Sequence, residues 1–295
     1  MFGEVFDSEE RIAEFIGRNT RDGEDVIGVD GALDFPLFYK LPAVAKGFAP
    51  PSQLNDVYRR RKEVQRNILT SHGEAGKLFP TFLDNHDMKQ RFRPASTDGP
   101  DQFDPQVVLA IALLFGLQGI PCLYYGTEQG LHGRGDSDQN VREALWGKTN
   151  AFDENRDLYQ SIRGLSAIRD AHPALRYGRQ YFRPISGDGR NFGISTFAPR
   201  VLAFSRILNH TEVVVVANAS TQDASTVHVI IDLFLHADGD VFQILNKPGA
   251  FADGVAETRS GLAINEADGS LATGPARTIR VKLQPMEVQI LTPGP

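Results

Sequence analysis

The chain has 295 residues, 41% of them hydrophobic and 23% charged, and a formal net charge of −6. This is the make-up of an ordinary soluble globular protein with room for two domains. No block of Lys and Arg points to a nucleic-acid partner, and no apolar run is long enough to cross a membrane. Cys122 is the only cysteine, which excludes an internal disulfide and a cysteine-based metal site.

Residues 1–6 form a short apolar run that reads as a strand. Asp7-Ser8 can cap a helix in which Ile12, Phe15 and Ile16 fall at helical spacing. Residues 26–35 contain a second strand, ending near Asp34-Phe35-Pro36. An amphipathic helix starts at Ser52, with Leu54, Val57, Tyr58, Val64 and Ile68 on one side. The run Arg59-Arg60-Arg61-Lys62 lies on this helix and reads as a solvated face.

Residues 79–83 form the third strand. Asp104-Pro105 reads as an acidic N-cap with proline at the first helical position, opening an apolar helix that runs towards Gln118. Residues 120–125 form the fourth strand. Leu158, Ile162, Leu165 and Ile168 mark a helix that stops before Pro173. Four strand–helix alternations are the pattern of parallel βα units.

From Arg179 the pattern changes to β-branched segments at 201–204, 212–217, 227–235, 278–283 and 286–291, punctuated by Gly, Asp and Asn. This predicts an antiparallel β-sandwich. The fold class is therefore α/β plus all-β, divided into domains 1–178 and 179–295.

Two segments carry candidate chemistry. Glu4 stands at a strand end between apolar neighbours, where partial burial would raise a carboxyl pKa as a general acid requires; the competing reading is a surface residue at a frayed terminus. Asn85-His86-Asp87 directly follows Phe82-Leu83-Asp84 and suits either a polar pocket or an Asx-type turn capping the next helix. Paired carboxylates at strand ends are the tools of glycoside hydrolysis.

Other motifs carry less. Gly73-Glu74-Ala75-Gly76-Lys77 lacks the spacing of a phosphate loop. Gly187-Asp188-Gly189 reads as a turn. Asn209-His210-Thr211 and Asn218-Ala219-Ser220 fit N-glycosylation acceptors. Tyr124 and Tyr125 would point to opposite sides of a strand, leaving one for packing. Trp146 suits packing better than a sugar platform. His72 and His132 read as loop residues without a metal partner.

Phe82-Leu83-Asp84-Asn85-His86-Asp87 resembles the seventh-strand motif of the alpha-amylase family, glycoside hydrolase family thirteen. Gly3-Glu4-Val5-Phe6 resembles its fifth-strand motif, Leu33-Asp34-Phe35-Pro36-Leu37 its sixth, and the segment from Gly119 to Glu128 its eighth. Arg142-Glu143-Ala144-Leu145-Trp146 is similar to the segment that follows the eighth strand. The resemblance implies the C-terminal half of a TIM (β/α)8 barrel, strands five to eight, followed by the β-sandwich.

By position, the resemblance makes Glu4 the general acid/base and Asp87 the carboxylate that stabilises an oxocarbenium-like transition state. It makes His86, with Asn85 beside it, a ligand of the reacting sugar. The implied partner is an α-glucan or α-glucoside; no cofactor or metal is implied by the residues present. The family's nucleophile, a fourth-strand aspartate two residues after an arginine, has no counterpart in this sequence. The third-strand asparagine-histidine motif and the calcium-binding B domain of many members have none either.

A retaining mechanism needs a nucleophile about 5–5.5 Å from the acid/base. The expectation is an incomplete chain with little or no glucanase activity alone, whose partner is the missing N-terminal half of the barrel. The alternative is a non-catalytic carbohydrate-binding or interaction protein derived from an amylase. No leader precedes the first motif, and the compartment is left open.

Overall fold

The computed structural model describes residues 1–17, 20–70, 72–95, 102–133, 135, 137–148, 151–266 and 268–294. They form two compact units. The first comprises Met1–Pro42 with Asp56–Arg163, and the second Ala43–Asn55 with Gly164–Pro295.

In the first unit, four of the short strands form two parallel pairs. Phe2–Gly3 pairs in parallel with Gly31–Ala32, and Pro80–Thr81 with Ile120–Pro121. The Asp34 amide donates to the Pro80 carbonyl at 2.9 Å and links the two pairs. Between the strands lie the helices Glu9–Ala13, Ser52–Val64 and Asp104–Gly116. The ladders are shorter than the apolar runs suggest. One reason is that Pro80 and Pro121 have no N–H to extend them. Close backbone approach also sets the geometry: a Cβ on Gly31 would stand 2.7 Å from the Leu78 carbonyl oxygen.

Ser8 caps the first helix, its hydroxyl accepting from the Arg11 amide at 3.3 Å. Ile12 and Ile16 from this segment join Ala32, Ile68, Ala75 and Phe79 in a buried cluster. The helix Asp104–Gly116 is buried from Leu109 to Gly116. Its N-cap is Phe103, not Asp104. Asp104 lies in the first turn, where its carboxylate meets Arg93 at 2.9 Å and Arg156 at 3.4 Å, placing negative charge at the positive helix end.

The expected strand over 26–35 is divided. Asp25–Ile27 pairs antiparallel with Thr20–Asp22 across a turn in which Gly23 has a φ of 62°. Gly31–Ala32 forms the parallel pair. Asp34 then caps the short helix Phe35–Phe38, accepting from the Leu37 amide at 3.0 Å. Phe35 and Phe38 close on Phe82 with ring centroids 5.3 and 5.1 Å away.

The reading of the Arg-Arg-Arg-Lys run holds at Arg59 and Arg60, which are exposed, and fails at Arg61, which is 3% exposed. Arg61 falls one helical period beyond the buried Leu54 and Tyr58. Its guanidinium lies over the Phe79 ring at 4.8 Å and reaches two buried acids, Glu9 and Asp34. Burial alone would disfavour the charge; those two carboxylates hold it protonated.

The second unit contains two five-stranded sheets. One runs Ile185–Ser186, Ser225–Ile231, Leu271–Leu283, Glu257–Asn265, Asn191–Phe192. The other runs Phe242–Ile244, Val288–Pro293, Thr211–Asn218, Val201–Leu208, Arg179–Phe182. Every pairing is antiparallel except that of Asn191–Phe192 with Glu257–Asn265. Alternate residues face inward: Val227, Val229, Ile279 and Val281 of one sheet share a core with Val201, Ala203, Val214 and Val216 of the other.

The strand Glu257–Asn265 gave no apolar signal because most of it is exposed, and its register shifts between Arg259 and Leu262. Among the described residues of this unit, one acid is buried. Glu212, fully buried, accepts from Arg183 at 2.6 Å and from the Asp232 amide at 2.9 Å, and it contacts the Ser205 hydroxyl. The His236 Nε2 lies 2.7 Å away.

Candidate active site

The candidate residues lie beyond the carboxyl ends of two of the four short strands, Phe2–Gly3 and Pro80–Thr81. After Phe2–Gly3, alternation turns Val5 inward against the Ile12–Phe79 cluster and leaves Glu4 exposed. The partial burial expected of Glu4 is therefore absent. Glu4 lines an open groove of about 660 Å³ together with Val5, Phe6, Asp7, Arg11 and Phe15. None of Asn85, His86 or Asp87 lines that groove.

After Pro80–Thr81 the chain reaches Asp84, which is buried and accepts from the Phe92 amide at 2.7 Å. Asn85 Oδ1 accepts from the Asp87 amide at 2.9 Å, an Asx turn. The turn caps no helix; it displays His86 and Asp87, both exposed, with His86 Nε2 3.3 Å from Asp87 Oδ1. Asn85 Nδ2 is buried and has no hydrogen-bond partner among the described residues.

Arg142 completes this cluster. Its Nη2 donates to Asp87 Oδ1 at 2.8 Å and its Nε to the His86 carbonyl at 3.0 Å. Asp138 Oδ2 lies 3.4 Å from the same Nη2. Asn85, His86, Asp87 and Arg142 are thus brought together, and Glu4 is not among them.

After Ile120–Pro121 come Cys122, Tyr124 and Tyr125. Cys122 is exposed at the surface, and partial desolvation of its thiol, reinforced by the Asp84 charge, pushes the thiol up. The two tyrosines do not face opposite ways, because the strand ends at Pro121. Their rings meet edge-on at 4.7 Å, and the Arg91 guanidinium lies 4.4 Å from one ring centroid and 5.1 Å from the other. Burial and the adjacent Tyr125 push the Tyr124 phenol up to about 12, so it remains a neutral hydroxyl. Arg91 also donates to the Tyr125 carbonyl at 2.7 Å and the Val141 carbonyl at 2.8 Å.

The segment after Val141 is pinned as well. The Tyr125 hydroxyl donates to the Glu143 carbonyl at 2.9 Å, and the Glu143 carboxylate accepts from the Gly133 amide at 2.9 Å and contacts Lys148. Burial alone would raise the Glu143 pKa; Lys148 and the Gly133 amide lower it. Trp146, read from sequence as a packing residue, is 87% exposed. Arg91 is a residue that sequence reasoning passed over, and Arg142 entered it only as part of the segment after the eighth strand, without its bond to Asp87. Among the described residues, no group of three His, Cys, Asp or Glu is placed to hold a metal ion.

Chemically, the arrangement offers one exposed carboxylate at the first strand end and a carboxylate–imidazole–guanidinium cluster at the third. Residues 1–160 match the family described as Alpha amylase, catalytic domain. The chain belongs to the alpha-amylase family.

Alpha-amylase relatives match it in part. It is 33% identical over 183 residues to a Beta/alpha-amylase of Paenibacillus polymyxa, a match covering 60% of this chain and 13% of that protein. It is 43% identical over 108 residues to a cyclomaltodextrin glucanotransferase of Geobacillus stearothermophilus, covering 37% of this chain and 14% of that protein. The alpha-amylase of Geobacillus thermoleovorans, solved with acarbose, superposes with a TM-score of 0.66 at 19% identity; this chain is covered in full and that one to 53%. The chain therefore has the fold of these amylases but spans only a small share of the curated relatives and about half of the solved structure.

Proposed function

We propose that this chain carries the acid/base part of an alpha-amylase-type glycoside hydrolase acting on α-glucosidic bonds of glucans or α-glucosides. In this reading residues 1–178 are strands five to eight of a (β/α)8 barrel and residues 179–295 are the β-sandwich domain. The carrying observation is the display of Asn85-His86-Asp87 in an Asx turn after Pro80–Thr81, a strand whose Pro80 carbonyl accepts from the Asp34 amide just past the strand pair that ends beside Glu4.

Glu4, as the acid, protonates the glycosidic oxygen as the bond to the leaving sugar breaks. Asp87 stabilises the positive charge that develops on the reacting ring, and His86 and Asn85 hydrogen-bond its hydroxyls. A nucleophilic carboxylate takes the anomeric carbon as a glycosyl ester. Glu4, now a carboxylate, then deprotonates the water that releases the sugar with net retention. The 295 residues hold no counterpart of that nucleophile, so the polypeptide alone turns over no glucan. A barrel half bearing the aspartate would complete it.

The test is co-expression with an N-terminal amylase half, with α-glucan turnover as the readout. Turnover is expected only in the complemented sample, and covalent labelling of the isolated chain by a mechanism-based glycosyl fluoride would overturn the assignment. One observation favours a non-catalytic carbohydrate-binding protein: Glu4 stands in a groove that Asp87 does not line. That reading requires glucan retention without turnover even after complementation.

A further inference from the structure

The outer face of one sandwich sheet carries a polar groove of about 450 Å³. Inward-facing Val227, Val229, Ile279 and Val281 fix the alternation, so His228 and Arg280, opposite each other on neighbouring strands, point away from the core. Thr278 pairs with Glu257 on the next strand, which brings Glu257 and Arg259 to the same face. Two loops border these side chains. The Gly254 amide donates to the Arg280 carbonyl at 3.1 Å. A Cβ on Gly189 would stand 2.6 Å from Arg259 Nη1 and 3.4 Å from His228 Nε2, so guanidinium and imidazole lie side by side over one glycine.

Two carboxylates balance the two arginines. Arg259 Nη2 donates to Glu257 Oε2 at 3.0 Å, and Arg280 Nε lies 3.2 Å from Asp253 Oδ2. Both acids are thereby engaged, while the Arg280 Nη nitrogens and the His228 ring make no hydrogen bond to a described residue. On its other side His228 stands opposite uncharged Ser186, with Asp188 in the loop that follows. Burial, Arg259 and Arg280 hold the His228 pKa below its usual 6.5, against the opposing pull of Glu257 and Asp188. The imidazole is therefore neutral near pH 7, and its protonation decides the net charge of the groove.

We infer that this groove is an oxyanion site, in which His228 and Arg280 hold a phosphate-class dianion, free or esterified on a sugar, beside the charge of Arg259. The groups left for a ligand are donors, which phosphate oxygens satisfy and a sugar hydroxyl, itself a donor, satisfies only in part. Among the described lining residues there is no Phe, Tyr or Trp to cover a sugar face. A bound dianion favours the imidazolium, so the ion and a proton bind together.

Sulfate is the probe, because its charge does not change over the titration range of histidine. It is titrated into the full-length chain at constant ionic strength while the His228 imidazole resonance, assigned with His228→Gln, is followed by NMR. A saturable shift is expected, with the His228 pKa raised by about one unit, so that affinity rises about tenfold as pH falls from about 8 to about 5.5. His228→Gln should bind with little pH dependence, and Arg280→Gln should weaken binding about tenfold at every pH. No His228 shift, an equal response to sodium chloride, or a pH dependence that survives in His228→Gln overturns the site. A His228 shift with maltoheptaose and none with sulfate overturns it too, making the groove a neutral sugar site. Glucose 6-phosphate and inorganic phosphate separate the sources: tighter binding of the ester assigns the site to a phosphorylated sugar, and equal binding to the free ion.

Discussion

Arg61 Nη1 lies 2.8 Å from Asp34 Oδ2 inside the first unit, while Nη2 of the same guanidinium meets Oδ1. Asp34 is fully buried, and Glu9 takes Arg61 Nε at 2.8 Å. Removing the guanidinium leaves two buried carboxylates uncompensated. Arg61→Ala should destabilise the fold by about 3–5 kcal/mol, read as a lowered urea midpoint. The triple change Arg61→Met, Asp34→Asn, Glu9→Gln should recover much of that loss. A single variant within about 1 kcal/mol of the wild type would show that the network contributes little.

Glu212 makes the second unit acid-sensitive. Burial alone would raise its pKa, but His236, Arg183, Ser205 and the Asp232 amide hold it down to about 2, against an ordinary value of 4.5. Its folded-state pKa is the lower one, so its contribution is complete above the unfolded value and is lost as pH falls from 4.5 towards 2. The effect is on the order of 3 kcal/mol. Urea midpoints measured across that window should fall steeply for the wild type and less steeply for Glu212→Gln. Equal slopes would remove Glu212 as the cause.

Asn218 fits a glycosylation acceptor in sequence, but its side chain is committed. Nδ2 donates to the Asp223 carbonyl at 2.8 Å and the Gln284 carbonyl at 3.1 Å, and Oδ1 accepts from the Ser220 amide at 3.1 Å. Glycan mapping after expression in a glycosylating host should find Asn218 unmodified. Asn218→Ala should cost roughly 1–3 kcal/mol through the unpaired buried groups. A glycan on folded Asn218 would refute the buried placement.

For the proposed acid/base, Glu4→Gln in the complemented enzyme should lower kcat by about 10²–10⁴-fold. Substrates with good leaving groups, which need little protonation, should be affected less in the first step. Undiminished turnover of unactivated glucan would reassign the role.

Much of this architecture was legible because local periodicity and turn chemistry agreed with the fold. Ser8 announced its helix, and the 201–204 and 212–217 runs announced two strands of the antiparallel domain, which pair with each other. The failures have physical causes. Arg61 was hidden by its own charge, although the i, i+4, i+7 spacing of Leu54, Tyr58 and Arg61 placed it on the buried face. Its partners lie 27 and 52 residues away, beyond any local signal. The hairpin at Asp22-Gly23 carried an Asp-Gly signal that the neighbouring apolar run obscured. At the site, Asn85-His86-Asp87 was readable as a turn or a pocket and does display its side chains through a turn. Arg142 as the partner of Asp87 was not readable, since it comes from another loop.

The sandwich is bounded by short strands. Ile185–Ser186 and Asn191–Phe192, of two residues each, flank one sheet, and Phe242–Ile244 and Arg179–Phe182, of three and four, flank the other. The long strands, up to the 13 residues of Leu271–Leu283, lie inside. A foreign strand arriving at either border meets too few free backbone groups to register. Self-association through this domain would have to be written in side chains across its faces, and is therefore open to adjustment by single surface substitutions.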